Sequence, residues 1–111
     1  MVMTKQLEPL PTITKRQGDV LLVIANHILV WRLAPSLDEI RAGLGVAPTT
    51  NLNNYLEPLV KQGYLSRGPQ YSRRGYRTTE LAETLLPALL REREKEFPEI
   101  KKFVQRIEQG K

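Results

Sequence analysis

Five stretches of this chain repeat their apolar residues at helical spacing, and one short stretch between them does not. Val20, Leu21, Ile24 and Ile28 recur behind Thr14-Lys15-Arg16-Gln17. That tetrad is a capping box: Thr14 accepts from the Gln17 amide and Gln17 reaches back. The pattern predicts a first helix over about 15–30. Ser36-Leu37-Asp38-Glu39 is a second capping box, with acids where a helix dipole favours them. Leu37, Ile40 and Leu44 line a short second helix, and Gly45 stands where a left-handed terminal residue is wanted. Val46-Ala47-Pro48 predicts a tight turn. A third helix is then expected from about Thr49 to Gln62, stopping at Gly63.

Beyond Gly63 the spacing changes. Tyr64–Arg67 and Ser72–Arg77 read as two strands of a hairpin, broken at Gly68-Pro69. From Thr79 the helical period returns with Leu81, Leu85, Leu89 and Leu90, interrupted at Pro87. Pro98 suits the first residue of a last helix, whose face carries Ile100, Phe103, Val104 and Ile107. Residues 1–12 show no periodicity and read as a flexible arm. The expected organisation is an arm over 1–12, a domain over 13–78 and C-terminal helices over 79–111.

Composition narrows the function. The chain has 111 residues, 41% of them hydrophobic, which suits one modest core. It has no cysteine and one histidine, His27, so no thiolate or zinc site is expected. We find no nucleophile–base arrangement, no glycine-rich phosphate loop, no small-molecule site and no cofactor motif. An enzyme is not expected. No signal-like or membrane-spanning run is present, and the cytoplasm is the expected compartment. The net charge is +5. Lys61, Arg67, Arg73, Arg74 and Arg77 fall in a window from Val60 to Thr78 that holds no acid, and the other 12 basic residues are matched by 12 acidic ones. A local unopposed basic stretch suits a polyanion, although it also suits a plain solvated loop.

Helix, short helix, tight turn, longer helix and basic hairpin is the order of a winged helix-turn-helix. The fold class expected is mainly α with a small β-hairpin. The third helix divides into two faces. Leu52, Leu56 and Leu59 point inward, with Tyr55 beside them, while Thr50, Asn53, Asn54, Glu57 and Lys61 fall together outside and Asn51 lies at the edge. Asn can bond adenine N6 and N7 together, so this face suits base reading in the major groove. Asn is also a plain helix-start residue. Pro58 inside this helix removes the amide that would bond the Asn54 carbonyl.

From Ile13 to Leu65 the residues resemble the DNA-binding domain of the LexA family of repressors. Ile13-Thr14-Lys15-Arg16-Gln17 is similar to that family's opening, and Val20, Ile24, His27 and Ile28 continue it. Pro35-Ser36-Leu37-Asp38-Glu39-Ile40, Leu44-Gly45, Leu56, Leu59 and Gly63 carry the resemblance onward. It implies duplex DNA as partner, with base-reading positions at Thr50, Asn51, Asn53 and Asn54. The family has acids where Asn53 and Asn54 stand, which implies a different operator. The expected phosphate and wing residues are Lys15, Arg16, Ser36, Thr49, Lys61, Arg67, Gln70, Arg73, Arg74 and Arg77. The family's self-cleaving peptidase half finds no counterpart in the thirty or so residues after the hairpin. Gly75–Leu81 instead resembles the strand-to-helix exit of MarR- and PadR-like regulators, in which the next helix makes the dimer. Leu81, Leu85, Leu89, Phe97, Ile100, Phe103, Val104 and Ile107 are therefore the expected dimer face, with packing onto the chain's own core as the alternative. Three functions compete: a homodimeric sequence-specific repressor, a protein-docking module on the same fold, and a non-specific DNA binder.

Overall fold

A computed structural model describes residues 13–68, 74–91 and 93–110. The elements are α1 (Lys15–Trp31), α2 (Leu37–Leu44), α3 (Asn53–Lys61), β1 (Leu65–Arg67), β2 (Tyr76–Thr78), α4 (Glu80–Glu83), α5 (Leu86–Leu90) and α6 (Pro98–Gln109). The chain is mainly helical with one small antiparallel hairpin, a winged helix-turn-helix. The expected arm over 1–12 lies outside the described residues.

Both capping boxes form. Gln17 N–H donates to Thr14 Oγ1 at 3.1 Å and Thr14 N–H to Gln17 Oε1 at 2.9 Å. The Ser36–Glu39 pair repeats this at 3.1 and 2.8 Å. Each box satisfies amides that the first turn of a helix leaves without partners.

The third helix starts later than its spacing suggests. The Thr50 amide donates to the Ala47 carbonyl at 3.0 Å, closing a turn with Pro48 at its second position, where the ring presets φ. Thr49 and Thr50 are consumed by that turn. The Asn51 side chain then accepts from the Asn53 amide at 2.9 Å, and the helix begins at Asn53. Its end is where the spacing puts it. Gly63 follows with φ +86°, a left-handed conformation that glycine adopts without a Cβ penalty.

Two cores flank α1. In the first, Val20, Leu21 and Ile24 meet Ile40 of α2, Leu56 and Leu59 of α3, Leu65 of β1 and Ala82 of α4. In the second, Leu22, Val23 and Ala25 meet Leu86, Leu90, Phe97, Ile100 and Val104. Every residue from Val20 to Ala25 is buried, so α1 is apolar on both sides and needs a layer on each. The close crossing of α2 on α1 depends on Gly43, where a Cβ would lie 2.6 Å from Val23 Cγ1.

This second core corrects the expected dimer face. Phe97, Ile100 and Val104 are buried within the chain, because Leu22, Val23 and Ala25 supply their apolar partners. Leu85, Leu89 and Phe103 are half-buried against the two cores. Leu81 and Ile107 stand open, at 49% and 42% exposure.

Candidate nucleic-acid interface

Helix α3 presents a clean division of faces. Leu52, Leu56 and Leu59 are buried, whereas Asn53, Asn54, Glu57 and Lys61 are exposed. The polar face expected to read bases therefore stands in solvent. Thr49, Thr50 and Asn51 belong to the segment before the helix, not to its face. Thr49 and Asn51 are exposed. Asn51 spends its side-chain oxygen on the Asn53 amide, a local helix-start role beside any contact with a base. Thr50 is half-buried, and its carbonyl accepts from Arg41 Nε at 2.8 Å. Arg41 also reaches Asp38 Oδ1 at 2.9 Å, so α2 holds the segment that leads into α3.

The hairpin separates two arginines that the sequence grouped together. Register pairs Arg67 with Tyr76 and Ser66 with Arg77. Residues opposite each other share a face and successive residues alternate, so Arg67 and Arg77 point to opposite sides. Arg67 lies over the Tyr76 ring, 5.8 Å from its centre, while its side of the sheet continues to buried Leu65. Both arginines are exposed. Gln70 and Arg73, the expected loop contacts, lie outside the described residues.

Arg74 turns inward. It donates to both oxygens of Glu39, with Nη2 at 3.2 Å from Oε2, and through Nη1 to the Ala34 carbonyl at 3.1 Å. Glu39 also accepts from the Ser36 amide, and His27 Nε2 stands 3.3 Å from Oε1. His27 Nδ1 lies 3.0 Å from the Leu33 carbonyl. Side chains from α1 and α2 and from the segment leading into β2 thus meet on one carboxylate. The Arg74 guanidinium, helped by the Ser36 amide, holds the Glu39 carboxyl down at about 2 from an ordinary 4.5.

The sign of that shift sets a pH window. A carboxylate whose folded pKa is depressed stabilises the fold above its unfolded value and loses that contribution as pH falls to the folded one. Stability against thermal unfolding is expected to weaken in the parent chain as pH falls from about 4.5 to about 2. A Glu39→Gln variant should show a smaller loss over the same window, since its amide cannot titrate. Equal losses in the two proteins would mean that other carboxylates account for the acid sensitivity.

The remaining expected phosphate residues divide in the same way. Lys15 is exposed at the start of α1, and Lys61 is exposed in the last turn of α3. Arg16 lies 3.7 Å from Asp19, which Arg93 also binds. The Ser36 hydroxyl accepts from Glu39, so its first duty is the cap. Sequence reasoning missed the Glu39 cluster and Arg41. One signal was available: a capping-box carboxylate has a second oxygen to spare, and Arg74 sat in a window with no acid of its own.

The LexA DNA binding domain family matches residues 11–74, which hold α1 to α3, β1 and the segment between the strands. The chain belongs to this family. Similar relatives include the LexA repressor of Citrifermentans bemidjiense, 42% identical over 55 residues, which are 50% of this chain and 27% of that protein. Another is the LexA repressor of Anaeromyxobacter dehalogenans, 37% identical over 73 residues, 66% of this chain and 32% of that protein. A third is the LexA repressor of Mycolicibacterium paratuberculosis, 33% identical over 63 residues, 57% and 27% of the two chains. The chain thus spans about a third or less of these relatives' length. No solved structure gives a significant match. Helices α4, α5 and α6 lie beyond the matched LexA segment, so the second core joins α1 of the LexA domain to residues outside it. Among the described residues, no helix is long and apolar enough to cross a membrane.

Proposed function

We propose that this LexA-type domain binds duplex DNA in a sequence-specific way and represses transcription in the cytoplasm, as a homodimer on a two-fold operator. Helix α3 lies in the major groove, Asn53 and Asn54 contact base edges, and Lys61, Arg67 and Arg77 hold phosphates. The observation that carries this reading is the exposed Asn53–Asn54–Glu57–Lys61 face on the second helix of a helix-turn-helix in a LexA-family chain. Thr49 and Asn51 lie just before that helix and extend the same contact. Self-association falls to Leu81 and Ile107, the two exposed members of the expected dimer face.

Selection of bound duplexes from a random pool tests both halves of the proposal. Enrichment of one inverted repeat is the expected result, with affinity falling as salt rises because phosphate contacts release counterions. Equal affinity for all sequences refutes base reading. An enriched site without two-fold symmetry refutes the dimer and leaves the reading helix in place.

A further inference from the structure

Three observations single out Arg74 among the basic residues of the hairpin window. Its guanidinium forms a fork on Glu39, bonding both carboxylate oxygens. A third bond runs to the carbonyl of Ala34, a buried residue just before α2. Its acceptor is fixed before Arg74 arrives, because the Ser36 amide already holds Glu39 Oε1 at 2.8 Å within the α2 capping box. A planar fork on a carboxylate that is itself anchored sets a direction as well as a distance.

The contact spans 35 positions of sequence. It ties the segment leading into β2 to the N-terminus of α2. The same short helix holds the residues before α3, through Arg41 Nε on the Thr50 carbonyl. Helix α2 therefore carries a fixed point for the hairpin at one end and one for the reading segment near the other. A charge already matched by Glu39 is also poorly placed to release counterions from DNA.

We infer that Arg74 is a positioning residue: its pairing with Glu39 fixes the hairpin relative to the reading helix, and it takes no phosphate. This role rests on the DNA-binding reading above for its effect on recognition. The latch itself is independent of that reading.

Two variants separate the latch from a phosphate grip. Arg74→Gln removes the fork. Glu39→Gln keeps an acceptor oxygen for the Ser36 amide, so the α2 cap survives. If Arg74 is a latch, both variants lower the preference for the selected duplex over a random one several-fold, and the double variant is no worse than either single. The slope of log affinity against log salt stays where it was. If Arg74 grips a phosphate, Arg74→Gln reduces that slope by about 0.9. Glu39→Gln would then strengthen binding, because it frees the guanidinium. That pair of results overturns the proposal.

Hydrogen exchange in the free protein tests the latch without DNA. The amides of Gly68 and Thr79 bond the carbonyls of Gly75 and Tyr64 across the hairpin. Their protection should fall several-fold in both variants, while the amides of α1 keep theirs. Unchanged hairpin protection refutes the latch. Failure of the parent chain to prefer any duplex refutes the DNA reading and leaves the exchange result to decide the latch.

Discussion

Replacing Leu56 by alanine will lower the unfolding free energy by about 2–5 kcal/mol, the range for a fully buried leucine whose cavity cannot collapse. The melting midpoint should fall by on the order of 10 °C or more. Leu56 has no exposed surface, and it packs in the cluster that joins α1, α2, α3 and β1. Few neighbours can move into its space, since Val20, Leu21, Ile24, Ile40 and Leu59 are all fully buried around it. Leu56→Met, which conserves volume, should cost less than about 1.5 kcal/mol. Val30→Ala supplies the contrast, because Val30 is 43% exposed and a surface change of that kind stays within about half a kcal/mol. Chemical denaturation of the three variants decides the matter. Equal effects for Leu56→Ala and Val30→Ala would mean that the first core does not hold the fold.

The value of Leu56 follows from its position on α3. The helix is nine residues long, with Pro58 inside it, and it is too short to persist on its own. Pro58 removes one internal hydrogen bond. What fixes this helix is the burial of Leu52, Leu56 and Leu59 against α1 and its neighbours. The asparagine face is thus held in place by the leucine face. Loss of Leu56 should loosen the asparagine face along with the fold.

Local chemistry was legible in the sequence and long-range partnership was not. The capping boxes at Thr14 and Ser36, the left-handed Gly45, the stop at Gly63 and the opening of α6 at Pro98 all stand where residue type puts them. Each depends on residues within four positions of one another. The start of α3 misled because Thr50 shares the helical spacing of the outer face, while Pro48 favours a turn that removes Thr49 and Thr50 from the helix. The second core misled for a different reason. Leu22, Val23 and Ala25 fall between the residues of the first stripe, and periodicity alone does not say that a helix has two apolar sides. The same gap made Phe97, Ile100 and Val104 look unpartnered. For the candidate site, the outward face of α3 was readable from spacing. The opposite directions of Arg67 and Arg77 needed the strand register, and the inward turn of Arg74 needed the fold.

Asn53→Ala and Asn54→Ala should each weaken binding to the selected duplex by about 1–3 kcal/mol, or roughly 5- to 150-fold, if each side chain makes a paired contact with an adenine edge. Binding to random duplex should hardly change, because neither residue carries charge. The salt slope should stay constant for the same reason. Stability moves in the opposite direction. Both side chains are exposed, and alanine is the better helix former by up to about 0.7 kcal/mol per residue. The Asn51 side chain bonds the backbone amide of residue 53, so that contact survives the substitution. A protein that melts higher and discriminates less separates reading from folding, which a helix-start role for these residues does not predict. If they served only to start the helix, alanine would leave the preference between selected and random duplexes intact. Unaltered discrimination in both variants, with folding preserved, would move base reading away from this face of α3.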